Sequence, residues 1–438
     1  MKKLFMILCA LGMILCITAQ NSRKDIQKNL RLSGGSFLAY PGPSTHKQTS
    51  APKGKKPFYI SHFGRHGSRY PTKTDDFEYV IKTLKESDEE HALTPLGKDV
   101  LQRVIRMEQE AHLRAGELTS LGATQQQEIA ERMMRRFPQV FEGNVTIEAK
   151  STTSIRSILS MANLLLKLQA MNPKLTVKLD ASQHDMGYLR HNDKLLSTQS
   201  LDEKNVGLYN AFVDAHSPWE RVVGQLYADT AYLNQHVDGK KLNSYLFRLA
   251  SVLQDMDLRK KMTLYDLFTD EELYENWRKD NVFWYLGFGF APTNGGKMPF
   301  AQRFLLRNII EQADSCLKLD HPSATLRFGH DTALLPLVCL MGINGYDLQT
   351  SDLDKMEHSG WADYKIIPMA ANLQLVFYRN GCHDQDILVK VLLNENEATL
   401  PLKTDVAPFY HWQDFRDFYL QSINAYDEGC EPEDEEDD

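Results

Sequence analysis

One recurring order, a short apolar run, a polar loop and then a helical period, fills two stretches of this chain and is broken by a third of different character. Phe58-Tyr59-Ile60 with Phe63 is an aromatic and apolar run that ends at Gly64, as a buried strand does. Beyond Glu117-Leu118, Ile129, Met133 and Phe137 recur every four residues with Ala130 and Met134 beside them, and Thr119 is the expected N-cap. Val145, Ile147 and Ala149 alternate with polar residues as a strand. After Lys150-Ser151-Thr152 a second helix carries Ile155, Leu159, Ala162 and Leu166 on one apolar face. From about 182 to 299 helical periods dominate, aromatic residues cluster (Trp219, Trp277, Phe283, Trp284, Tyr285) and β-branched alternation disappears. The first pattern resumes at Ala324–Phe328, Leu373–Tyr378 and Ile387–Leu393. Alternation of this kind predicts an α/β class core. Its two parts are expected at 57–181 and 300–426, with a helical cap inserted at 182–299.

The ends of the chain differ from its body. Met1-Lys2-Lys3, an apolar run from Leu4 to Ile17 and Thr18-Ala19-Gln20 read as a signal peptide over 1–19. That run falls short of the about 20 apolar residues a membrane span needs, and no later segment approaches it. The mature chain is therefore expected not to span a membrane and to be periplasmic or secreted. Residues 20–56 read as an extended arm, and 427–438 as an acidic disordered tail. The tail's carboxylates alone outweigh the net charge of −8 among 438 residues. The body is then nearly neutral, which excludes the basic field a nucleic-acid partner requires. Cys316, Cys339, Cys382 and Cys430 remain after export, so disulfides are feasible, but their wide spacing neither fixes a pairing nor resembles a zinc site.

The chemistry concentrates in Arg65-His66-Gly67-Ser68-Arg69-Tyr70-Pro71, directly after the first strand. In an open α/β sheet that is where ligands bind. Histidine can act as a nucleophile, two guanidiniums match phosphate oxygens, and Gly67 lets the backbone approach a ligand. Arg156, early in the helix after the second strand, supplies a third guanidinium. Of three His-Asp pairs, only His330-Asp331 follows an alternating run and opens an apolar segment, so it sits at another strand-to-helix junction. His184-Asp185 starts the insert and His383-Asp384 lies in a polar loop. His62 and His66 are four apart, but Gly64 and the strand-like residues before it argue against a shared helical face, and no carboxylates cluster there to hold a metal. Arg190, His191 and Lys194 at the insert's edge are candidates for further phosphate contacts.

Taken together, Arg65-His66-Gly67-x-Arg69-x-Pro71 and the distant His330-Asp331 resemble the histidine acid phosphatase family. Leu118-Thr119 with Gly122, and Ser151-Thr152 with Arg156, are similar to two further segments of that family. The resemblance implies a phosphoglycerate-mutase-like α/β core roofed by an inserted helical cap. It implies His66 as the nucleophile, Asp331 as the proton donor, and Arg65, Arg69, Arg156 and His330 as the phosphate clamp, with no metal or cofactor. The implied partner is a small phosphate ester, plausibly an inositol polyphosphate such as phytate. A broad-specificity sugar or nucleotide phosphatase, a mutase of the same superfamily and a catalytically silent phosphate-ester binder are the alternatives. Lys150 stands where the family usually has arginine, and Thr332 follows His330-Asp331 where the inositol polyphosphate branch usually has His-Ala-Glu. Preferred ester and oligomeric state stay open.

Overall fold

The computed structural model describes residues 22–190, 193–200 and 202–429. One mixed sheet of eight strands organises it: β1 (Lys56–Arg65), β2 (Thr146–Ser151), β3 (Thr176–Asp180), β4 (Ser323–Gly329), β5 (Asn372–Arg379), β6 (Leu388–Leu393), β7 (Asn396–Glu397) and β8 (Phe409–His411). The order is β3-β2-β4-β1-β5-β6-β7, with β8 also on β6. β3, β2, β4 and β1 run parallel, and β5 turns antiparallel against β1. The parallel half explains why β1 and β4 read as continuous apolar runs: helices cover both of their faces. Register then does the positioning, since Arg65 lies opposite Gly329 and Ser151 opposite Phe328. Three loops, from β1, β2 and β4, therefore leave the sheet side by side.

One face of the sheet packs on the helices Arg303–Cys316, Asp331–Leu340 and Trp412–Glu428 through Leu305, Leu306, Leu334, Leu335, Phe415 and Tyr419. The other packs on Ser120–Arg136 and Ile155–Met171 through Ile129, Met133, Met161, Leu164, Leu165 and Leu168. The apolar face read from sequence on the second of these helices is the outer one: Ile155 and Leu166 are each 65% exposed. The buried stripe instead includes Ser157 and Ser160, whose small polar side chains let the helix lie close to the loop after β1.

A third apolar cluster forms the cap, and it draws on pieces of chain far apart in sequence. Phe77, Val80, Leu84 and Val104, from the helices Asp75–Glu89 and Pro95–Ala111, pack with Leu246, Leu249 and Trp277. The last three come from the helices Gly239–Leu253 and Asp270–Phe288, the second of which starts with a Thr269/Glu272 capping box. Residues 75–111, placed in the core by sequence, thus belong with the insert.

The N-terminal segment corrects a second expectation. Instead of an extended arm, Ser22–Lys28 is helical and Leu30–Phe37 makes 3₁₀ turns, with Ile26 and Leu38 buried. The chain then runs along the far edge of the sheet, where Tyr40 Oη donates to Glu395 (3.0 Å) and the Ser44 amide to Asn396 (2.8 Å). At the other end the last helix continues through Glu428, and Asp427 pairs with Arg303 and Arg307 (2.8 and 3.0 Å). The proposed signal peptide and residues 430–438 lie outside the described residues. Cys316, Cys339 and Cys382 are free thiols, so no disulfide joins these three. No helix among the described residues is long and apolar enough to cross a membrane.

Glu395 is buried yet charged, and Arg132 holds both of its oxygens (Nε at 3.0 and 3.1 Å, Nη2 at 2.8 Å). Losing hydrogen bonds to a charged group costs about 1.5–3 kcal/mol. Glu395→Ala should lower the urea midpoint by an equivalent amount, read from unfolding curves of the native and variant chains.

Candidate active site

The loop after β1 holds His66 by its backbone before any side chain contributes. The His66 amide donates to Gly329 O (3.1 Å), its carbonyl accepts from the Ala370 amide (2.9 Å), and the Arg65 amide donates to Ala371 O (2.8 Å). Ala370 takes a left-handed conformation to do this (φ 57°), which costs a non-glycine residue about 1–2 kcal/mol. Gly67 faces Gly122 so closely that a Cβ would lie 2.5 Å from Gly122 O. That contact is backbone against backbone, which explains a glycine at both positions. The Gly67 amide donates to Ser160 Oγ (3.1 Å), itself tied to Arg156 O (2.7 Å).

The His66 ring is buried, with Nδ1 2.9 Å from Gly67 O. Only a protonated Nδ1 makes that bond, so Nε2 is left with its lone pair free. Burial, followed by Arg65, Arg69, Arg156 and His330, holds the imidazole pKa well below its usual value. The ring stays neutral, as a nucleophile must. The His330 ring lies 5.7 Å from it, centroid to centroid, edge on. His330 Nε2 meets Thr152 Oγ1 at 3.0 Å, and Arg156 Nη2 approaches Nδ1 at 3.5 Å. Burial and Arg156 lower its pKa to about 4.

Three guanidiniums surround this pair. Arg65 is fully buried and is fixed by carbonyls: Nη1 donates to Ser36 O (2.6 Å) and to Ile367 O, while Nη2 pairs with Asp331 Oδ2 at 2.5 Å. Arg69 donates to Tyr70 O (3.1 Å) and lies over the Phe37 ring, 5.4 Å from its centroid. Burial and Arg65 lower its pKa to about 10, so it keeps its charge at any working pH. Arg156 is likewise lowered, first by burial. Asp331 opens its helix and accepts from the Thr332 amide (2.9 Å). Burial pushes its carboxyl up, but Arg65, Arg69 and His330 outweigh that and hold it below the ordinary carboxylate value.

The structure thus brings His66, Arg65, Arg69, Arg156, His330 and Asp331 together. Arg190 is exposed at the rim, near enough for its charge to depress both Arg156 and His330. Lys194 is exposed at the start of the helix Lys194–Ser200, and none of the contacts that join the cluster reaches it; His191 lies outside the described residues. The other two His-Asp pairs serve structure: Asp185 pairs with Lys150 (3.0 Å) and Asp384 with Lys55 (2.9 Å). Lys150 therefore points to an ion pair of its own and takes nothing from the clamp. His62 is buried within β1, its pKa lowered to about 3 by burial and Arg327. Sequence reasoning missed Ser36, Phe37 and Ser160, which position the arginines and the loop; no local signal marks them.

The family model described as histidine phosphatase superfamily (branch 2) matches residues 63–394. The multiple inositol polyphosphate phosphatase 1 of Gallus gallus is 22% identical over 72% of this chain and 71% of its own length. Its Homo sapiens counterpart is 26% identical over 72% and 68%. Among solved structures, the Bifidobacterium longum multiple inositol polyphosphate phosphatase in complex with inositol hexasulfate superposes with a TM-score of 0.73 at 17% identity, covering 88% of this chain and 97% of that one. The phytase from D. castellii gives 0.64 at 17% identity, covering 90% and 85%.

Two outcomes are expected. In a proton NMR titration His66 and His330 stay neutral from pH 5 to 8, whereas His411, held between Asp405 and Asp386 and raised by them, gains its proton above its usual pKa. Gly67→Ala, which forces the loop off Gly122, should abolish phosphate binding, read by calorimetry, while the far-ultraviolet circular dichroism stays that of the native chain.

Proposed function

The chain belongs to the histidine phosphatase superfamily, branch 2, and from that membership we propose that it hydrolyses phosphate monoesters through a phosphohistidine on His66. The observation that supports this best is the tautomer: the Gly67 carbonyl fixes the proton on Nδ1 and leaves the lone pair on Nε2, in a ring that burial and the neighbouring Arg65, Arg69 and Arg156 keep neutral. Nε2 attacks phosphorus as the bond to the ester oxygen breaks. Arg65, Arg69, Arg156 and His330 carry the charge of the phosphoryl oxygens. Asp331 gives its proton to the leaving alkoxide, then takes one from the water that attacks the phosphohistidine and releases orthophosphate. Because Asp331 is ionised at rest, it acquires its proton together with the substrate, whose dianion raises the carboxyl's pKa. That proton is lost as pH rises, so activity is expected on the acid side of neutral.

Inositol polyphosphates are the substrate class we favour. The named relatives and neighbours are inositol polyphosphate phosphatases and a phytase. Beside Arg69 a cavity of about 310 Å³ is lined by Lys73, Arg248 and Tyr245 together with Asp75 and Asp76, and Arg190 stands at the rim. These cations would take phosphates that are not reacting. Export to the periplasm or medium follows from residues 1–19 of the sequence.

Phosphate release from phytate and from simple monoesters in chelator is the test. His66→Ala should abolish it. Asp331→Asn should lower kcat by about 10²–10⁴ on alkyl esters and much less on an ester of an acidic phenol, whose leaving oxygen needs no proton. Equal losses on both esters, or an optimum well above neutrality, would remove Asp331 as the acid. No release from any ester would favour the silent phosphate-ester binder instead.

A further inference from the structure

Between the nucleophile and the second arginine sits Ser68, and every polar atom it has is held. Its amide donates to Gln125 Oε1 (2.9 Å), and its carbonyl accepts from the Thr119 amide and Oγ1 (2.9 and 3.1 Å). Its hydroxyl accepts from Gln125 Nε2 (2.8 Å) and donates to Asp255 Oδ1 (2.6 Å). Gln125 and Thr119 belong to the core helix and its cap residue. Asp255 does not: it follows the cap helix Gly239–Leu253 and reaches across to the loop. Asp255 is 0% exposed, its Oδ2 has no hydrogen-bond partner, and Arg69 Nε is likewise buried without one. A carboxyl in that position has a high burial cost that a core serine alone does not offset.

Resting on the reading above that this loop binds phosphate, we infer that Asp255 is a positioning residue, by which the cap sets the geometry and the charge of the loop carrying His66 and Arg69. The charged and titratable groups facing it are Arg65 and Arg69 from the loop, Arg259 from the next cap turn and Tyr265 beyond it, with Ser68 as its hydrogen-bond donor. Burial lifts its carboxyl to about 7, against the pull of Ser68 and the arginines. Below neutrality the group is uncharged and puts no counter-charge of its own on the arginines. Above it, a carboxylate competes for them.

The test uses the full chain, inorganic phosphate as probe and two variants. Asp255→Ala should weaken phosphate binding at pH 5 by up to about tenfold, the loss of one neutral buried hydrogen bond. Asp255→Asn keeps an acceptor for Ser68 and should bind within about threefold of native at pH 5 but roughly fivefold more tightly at pH 8, the proton linkage of one group. Native-like affinity of Asp255→Asn at both pH values would overturn the inference, as would an affinity at pH 5 as poor as that of Asp255→Ala. Should Asp255→Ala not fold, the asparagine variant alone decides, measured against native at the two pH values. Phosphate binding is read apart from turnover, so a native chain that binds phosphate but hydrolyses nothing defeats the proposed activity and leaves this inference standing.

Discussion

Bringing three guanidiniums against one another at the ends of β1, β2 and β4 is the constraint on which the rest depends. Arginine does not relieve such crowding by losing its proton, so the surroundings must hold it in place. Arg65 shows how: two carbonyls, from Ser36 and Ile367, accept from its Nη1, and one carboxylate, Asp331, pairs with its Nη2. The histidines yield instead, and both are driven to the neutral form. A cluster that repels itself is thereby turned into a strongly positive site that holds two uncharged imidazoles.

The junctions were legible because each combines two independent signals. A continuous apolar run says strand, and Arg65-His66-Gly67 or His330-Asp331 immediately after it says site; β-register then makes the junctions neighbours. Periodicity alone was a poorer guide. On the helix Ile155–Met171, the apolar residues Ile155, Leu159 and Leu166 keep helical spacing as well as the buried stripe does, and the buried stripe carries two serines. Lining a catalytic loop favoured small side chains over apolar ones, and no local rule anticipates that. The helices Asp75–Glu89 and Pro95–Ala111 are amphipathic like those of the core, so their sequence does not say which lobe they join; only Leu246 and Trp277, far along the chain, decide it.

Cap and core are joined by buried polar contacts as well as by apolar packing. Asp363, from the core side, accepts from Trp277 Nε1 in the cap (2.9 Å) and from the Ser36 amide of the N-terminal turns (2.9 Å). Gly35 lies against this carboxyl with φ 54°, where a Cβ would come within 2.4 Å of Oδ2. Gly34-Gly35, within the segment read as an extended arm, is the point where three parts of the molecule meet.

The course of the N-terminal segment has a consequence for biogenesis. Ser36 orients Arg65, and a few residues later the same segment is bound to Glu395, Asn396 and Glu397, so the first described residues close on strands translated near the end. A ribosome-bound intermediate that stops short of residue 367 has His66 and all three arginines but not the Ile367, Ala370 and Ala371 backbone that holds Arg65 and His66. The pocket between β1, β2 and β4 therefore takes its final shape only after the last third of the chain has been made.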